Sequence, residues 1–142
     1  MRGAESLGIP INPDYNGRTQ EGISYAQRSV HNGRRVSPAR SFLYPAMQRG
    51  NTHVITDAHV ERIEFEGKKA TGVRFTAGGR GGQRRTIKAR SEIILCAGAI
   101  ASPQILQLSG IGDGTHLQSI GVPVVQDLPG VGQNFRDHYA VR

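Results

Sequence analysis

From Asn51 onward the apolar positions recur with a period of two, through THVIT, HVERIEFEG, KATGVRFTAGG and QRRTIKARS. Such alternation over short runs bounded by glycine reads as half-buried strands joined by tight turns. Gly67 followed by two lysines, and the GGRGG run at 78–82, mark hairpin connections, so residues 53–90 are expected to form an antiparallel meander with a charged outer face. In HVERIEFE the apolar residues Val60, Ile63 and Phe65 alternate only in part, which predicts a bulge near Glu61 and Arg62.

The pattern changes at EIILCAGAIASPQILQLSGIG. Ile93, Ile94 and Leu95 form the continuous apolar run of a buried strand over 92–96, with Cys96 as a small core residue at its end. Small residues Ala97, Gly98 and Ala99 then turn the chain. A helix is expected from Ser102 as N-cap and Pro103 as first helical residue, with Ile105, Leu106 and Leu108 as its packing face until SGIG ends it. A second short helix over 114–120 stops at Gly121, and a short strand follows at Val124 and Val125. Upstream, ARSFLYPAMQRG predicts helical turns interrupted at Pro45 and ended by Gly50, whereas residues 1–40 show no sustained periodicity and carry strong turn signals in NPDYNG and GRTQEG.

The chain has 142 residues, enough for one core, and its 18 Lys and Arg against 11 Asp and Glu give a net charge of +7. That balance raises the possibility of an anionic partner, but no Lys or Arg lies between Ser91 and Phe135; the cations sit in the upstream loops and in the second hairpin. A single cysteine excludes an internal disulfide, and the five histidines show no metal-ligand spacing, so no metal is expected. The N-terminus lacks the apolar core of a secretory signal, and polar and glycine residues interrupt the uncharged run from Ile93 to Gly112, so neither export nor a transmembrane segment is expected and a cytoplasmic location is the reading.

A strand that ends in small residues before a helix can receive a nucleotide, because the turn offers backbone N–H groups and no Cβ atoms block close approach. The same pattern also serves as a tight helix–sheet contact, and spacing leaves both open. A further alternative is nucleic-acid binding, since LQLSGIGDGTHLQSIG is similar to a helix-hairpin-helix whose GIG turn meets a phosphate. Asp113 beside that turn and the missing cations argue against it.

The segment GAIASPQILQLSGIG, from Gly98 to Gly112, resembles the second signature of the glucose-methanol-choline oxidoreductases. GRRVSPARSFLYPAMQRGNTHVIT, HVERIEFEGKKATGVRF and GVPVVQDLPGVGQNFRDH resemble the same family in the same order, closest to its choline dehydrogenase-like branch. The resemblance implies an α/β fold, or α+β for this piece in isolation: part of an FAD-binding domain over 41–139, preceded by an irregular connection over 1–40. It implies FAD as cofactor and a small-molecule alcohol as substrate of the larger enzyme, with a GxGxxG loop upstream and a histidine downstream, neither of which the sequence contains. By the same resemblance, Val60 matches a position whose main chain meets the adenine of FAD, and Ala97, Gly98 and Ala99 match the small-residue turn beside the adenosine and diphosphate. His138 falls in a segment leading into the substrate domain, and no catalytic residue is assigned.

Overall fold

The computed structural model describes residues 1–79 and 81–138, in two compact units, 1–53 and 54–142. The helical turns following Pro38 contact one another and belong to the first unit.

In the first unit no described residue is buried, and hydrogen bonds do the ordering. A short helix α1 (Arg2–Glu5) opens it, and a parallel bridge joins Ile11 to Ile23. Asn12 Nδ2 donates to the carbonyls of Thr19 and Glu21, and the Gln27 amide donates to Tyr15 Oη at 2.8 Å. The stretch expected to be irregular contains a two-residue hairpin, β1 (Val30–His31) with β2 (Arg34–Arg35), closed by Asn32-Gly33. A π-helical turn at Ala39–Leu43 then runs into α2 (Tyr44–Met47), with Pro45 in the first turn of α2.

The second unit holds the meander expected from the period of two: β3 (Ala58–Glu66), β4 (Lys69–Ala77) and β5 (Gln83–Lys88), antiparallel in that order. The register shifts between Val60 and Arg62, leaving Glu61 as the bulged residue, and shifts again between Glu64 and Phe65. One face carries Ile63 and Phe75 into the core. The other carries charge: Thr76 Oγ1 donates to Glu61 Oε1 at 2.6 Å, Arg84 Nε donates to the same oxygen at 3.2 Å, and Arg62 holds both carboxylate oxygens of Glu64. Arg74 Nε lies 3.5 Å from Glu61 and 3.3 Å from Glu64, an ion pair to each without the direction of a hydrogen bond.

Residues 92–96 are extended but pair with no strand among the described residues, which corrects the expected buried strand. Ile93 and Leu95 are half-buried, whereas Ile94 is 75% exposed and Cys96 is exposed too, so it is no core residue. A strand presents successive side chains to opposite faces, and here only one face is covered. The helix α3 begins at Gly98 and runs to Leu108, so Ser102 is not its N-cap and Pro103 lies inside it. Ser102 Oγ reaches back to accept the Ala97 N–H at 3.1 Å, closing the first turn earlier than a cap at 102 would. Pro103 forfeits only a bond to the carbonyl of Ala99, at the exposed start of the helix.

α3 packs on β3 through Ile105, and Ser109 and Gly110 end it. Gly110 has φ +87°, and a Cβ there would lie 2.4 Å from the Pro123 carbonyl, so both conformation and space require glycine. Beyond it, β6 (Ile111–Gly112) pairs in parallel with β7 (Gln126–Asp127), two residues later than the strand expected at Val124 and Val125, because Gly110's carbonyl receives the amides of Val125 and Gln126. Between them α4 (Gly114–Ser119) buries Leu117 completely. The core is small: Ile63, Phe75, Ile105 and Leu117, with Ser109 the buried polar residue among the described ones.

Candidate functional site

A cleft of about 280 Å³ opens where the 93–97 segment passes the core face of the meander. Val60, Ile63 and Val73 form its strand wall, Ile105 its helix wall, and Leu95 and Ala97 the side toward the extended segment. Val60 is half-buried and belongs to β3, the open edge of the sheet, next to the bulge at Glu61. The bulge leaves backbone at this edge out of regular pairing, and a bulge at a sheet edge re-aims the chain. Two of the residues singled out from sequence, Val60 and Ala97, therefore share one cleft.

Ala99 faces elsewhere. It lines a second, larger cleft of about 520 Å³ with Ile100, Pro103, Gln104, Gln107, Gly132 and Phe135. Gly98 stands between the two at φ +88°, and a Cβ there would meet no atom within 4 Å. Its glycine is thus required by backbone conformation, and the space in front of it is open. The turn from Ala97 to Ala99 joins two clefts; the three residues do not line a single one.

The helix-hairpin-helix-like segment offers little to a phosphate. Asp113 caps α4 by accepting the His116 N–H at 2.8 Å, and Asp127 accepts the Gly114 N–H at 2.9 Å. Two carboxylates occupy the amides that a phosphate would need, and no Lys or Arg lies from Ser91 to Phe135. His116 supplies its main-chain N–H to that cap. His138 is exposed and donates its own N–H to Asp137. Among the described residues no group of three or more His, Cys, Asp or Glu could hold a metal ion, and no helix is long and apolar enough to cross a membrane.

One residue of this site was missed in the sequence. Ser109 looked like part of a helix stop, yet it is 6% exposed and its hydroxyl ties α3 to β3, accepting the Ile63 N–H at 2.8 Å. The signal was its position four residues after Ile105, which puts a polar group on the packing face of the helix.

The first cleft is apolar, lies against an edge-strand backbone and is of a size for one ring system, below most whole-ligand pockets at about 300–1,000 Å³. An adenine fits that description; a complete dinucleotide needs walls beyond it.

Comparison with known proteins gives a consistent result. The GMC oxidoreductase family model matches residues 1–140. The chain is similar to an oxygen-dependent choline dehydrogenase of Staphylococcus saprophyticus, 54% identical over 94% of this chain and 23% of the relative. It is also similar to oxygen-dependent choline dehydrogenase 1 of Chromohalobacter salexigens, 49% identical over 97% of this chain and 24% of the relative. Among solved structures, an FAD-dependent oxidoreductase from Chaetomium thermophilum superposes with a TM-score of 0.82 at 32% identity, covering 91% of this chain and 22% of that one. Pyridoxine 4-oxidase from Mesorbium loti gives 0.79 at 32% identity, covering 90% and 25%. The chain thus spans about a quarter of the length of the curated relatives it matches.

Proposed function

The chain belongs to the GMC oxidoreductase family, and from that membership we propose that it forms part of the FAD-binding domain of an enzyme that oxidises a small alcohol of the choline type in the cytoplasm. Val60 and Ala97 stand at the adenosine end of the cofactor, and Gly98 and Ala99 at the turn toward its diphosphate. The observation that carries this reading is the meeting of Val60 and Ala97, distant in sequence, in one apolar cleft beside a bulged sheet edge. FAD, when bound, supplies acceptance of a hydride from the carbinol carbon. This chain's residues contribute binding and shape: an apolar wall from Ile63, Val73 and Ile105, main chain at the β3 edge, and a turn free of Cβ at Gly98.

The test is a chimera in which this chain replaces the matching segment of the Staphylococcus saprophyticus relative. The expected result is a folded protein that retains FAD and oxidises choline. Gly98→Val in that chimera should lose flavin out of proportion to its fall in melting temperature, whereas Val60→Ala should lose both together, because Val60's side chain packs while its main chain serves the ring. A folded Gly98→Val chimera with a full complement of FAD would remove the turn from the cofactor site. The chain by itself, given FAD and choline without oxygen, is expected to leave the flavin oxidised, since an absent general base alone costs about 10²–10⁴ in rate.

A further inference from the structure

The adenosine cleft has two walls from separate elements, the β3 strand and the α3 helix, and one hydroxyl joins them from behind. Ser109 Oγ accepts the main-chain N–H of Ile63 at 2.8 Å and donates to the carbonyl of Ile105 at 2.5 Å. Ile63 and Ile105 both line the cleft, together with Val60 and Ala97. We infer that Ser109 is the positioning residue that sets the separation of these walls and hence the fit of the cofactor's flat ring, an inference that rests on reading this cleft as the adenosine site.

β3 is the open edge of the meander, so nothing in the sheet itself holds its outer side. Ile63 pairs with Val73 in a short stretch of β3 that is bounded by register shifts on both sides, at Val60/Arg62 and at Glu64/Phe65. A buried amide there requires an acceptor. A hydroxyl can accept one hydrogen bond while donating another, which neither an alanine nor an aliphatic side chain can do. Ser109 is itself fixed: its amide donates to the carbonyls of Ile105 and Leu106, and Gly110, which follows it, has the Pro123 carbonyl 2.4 Å from where its Cβ would stand. The strand wall is thereby referenced to the helix end, three residues along from Val60 and across the bulge.

In the chain itself, Ser109→Ala should accelerate amide hydrogen exchange at Ile63 by about ten-fold or more relative to the other β3 amides, and Ser109→Thr, which keeps the hydroxyl, should restore slow exchange. An Ile63 amide equally protected in Ser109→Ala overturns the inference. In the chimera, flavin fluorescence titration of the folded protein should give an FAD dissociation constant raised about ten-fold by Ser109→Ala and returned toward the starting value by Ser109→Thr. Leu117→Val, which destabilises α4 away from this cleft, should lower the melting temperature without changing that constant. If Ser109→Ala and Leu117→Val leave FAD affinity alike, Ser109 is only a packing bond and the positioning role is lost. If Ser109→Ala holds FAD normally while Gly98→Val releases it, the cofactor site stands and the role of Ser109 fails; a folded chimera that holds no FAD at all overturns both.

Discussion

The meander and the extended segment beside it are both rich in apolar residues, yet one is closed and the other is not. β3, β4 and β5 find their partners in adjacent sequence, bury Ile63 and Phe75 on one face and tie Glu61, Glu64, Arg62, Arg74 and Arg84 together on the other. Residues 92–96, more continuously apolar, pair with no described strand and leave Ile94 75% exposed. An antiparallel hairpin needs only a turn to find its partner, whereas a strand that is apolar on both faces needs neighbours and cover from elements far away in sequence. A run of three apolar residues therefore states a demand for burial and says nothing of whether the chain at hand meets it.

The widest separation between the two regions should appear in large-to-small substitutions. Phe75→Ala is expected to cost about 3–5 kcal/mol in urea denaturation, while Ile94→Ala stays within about 0.5 kcal/mol. Comparable losses at both positions would mean that the extended segment is covered in solution and that the contrast is wrong. Next in size is the junction: Gly98→Ala should cost about 1–2 kcal/mol because φ is +88° and not because of crowding, so its double-mutant coupling with Ile94→Ala should be near zero. Ser102→Ala removes the acceptor of the Ala97 N–H at an exposed site, and should cost about 0.5–1 kcal/mol and fray the first turn of α3, seen as faster exchange of the Ala97 amide.

The smallest effect belongs to the charged face. The hydrogen bond from Thr76 foremost, with Arg84 and Arg74 beside it, holds the Glu61 carboxyl below its ordinary value of 4.5. A depressed carboxylate stabilises the fold above its unfolded value and loses that contribution as pH falls through the folded one. The melting temperature should thus decline slightly more below pH 4.5 in the parent chain than in Glu61→Gln, with no difference between them in slope near neutrality. Equal acid slopes would show the network to be a bystander.

Much of this architecture was written in local pattern. The period of two located the three strands, Gly67 and the glycine run at 78–82 located their turns, and the broken alternation in HVERIEFE located the bulge at Glu61. The small helix at 114–119 lies where the sequence places one over 114–120, stopped by Gly121. The Asn32-Gly33 hairpin carries an equally local turn signal, but its two-residue strands leave no periodicity on either side of it. Ser-Pro is a local signal for a helix start, yet α3 starts at Gly98, whose left-handed backbone turns the chain while Ser102 reaches backward to the Ala97 amide.

Turn chemistry, strand period and the bulge depend on neighbours within a few residues, and the sequence by itself determined them, together with the family signature from Gly98 to Gly112. The meeting of Val60 with Ala97, the parting of Ala99 into a different cleft, the exposure of Ile94 and Cys96, and the bond from Ile63 to Ser109 were decided by tertiary structure alone. Each depends on which elements pass one another at a few ångströms after long loops have closed, and burial and hydrogen bonding between such elements follow from their approach, for which a linear pattern of apolar and polar residues carries no distance.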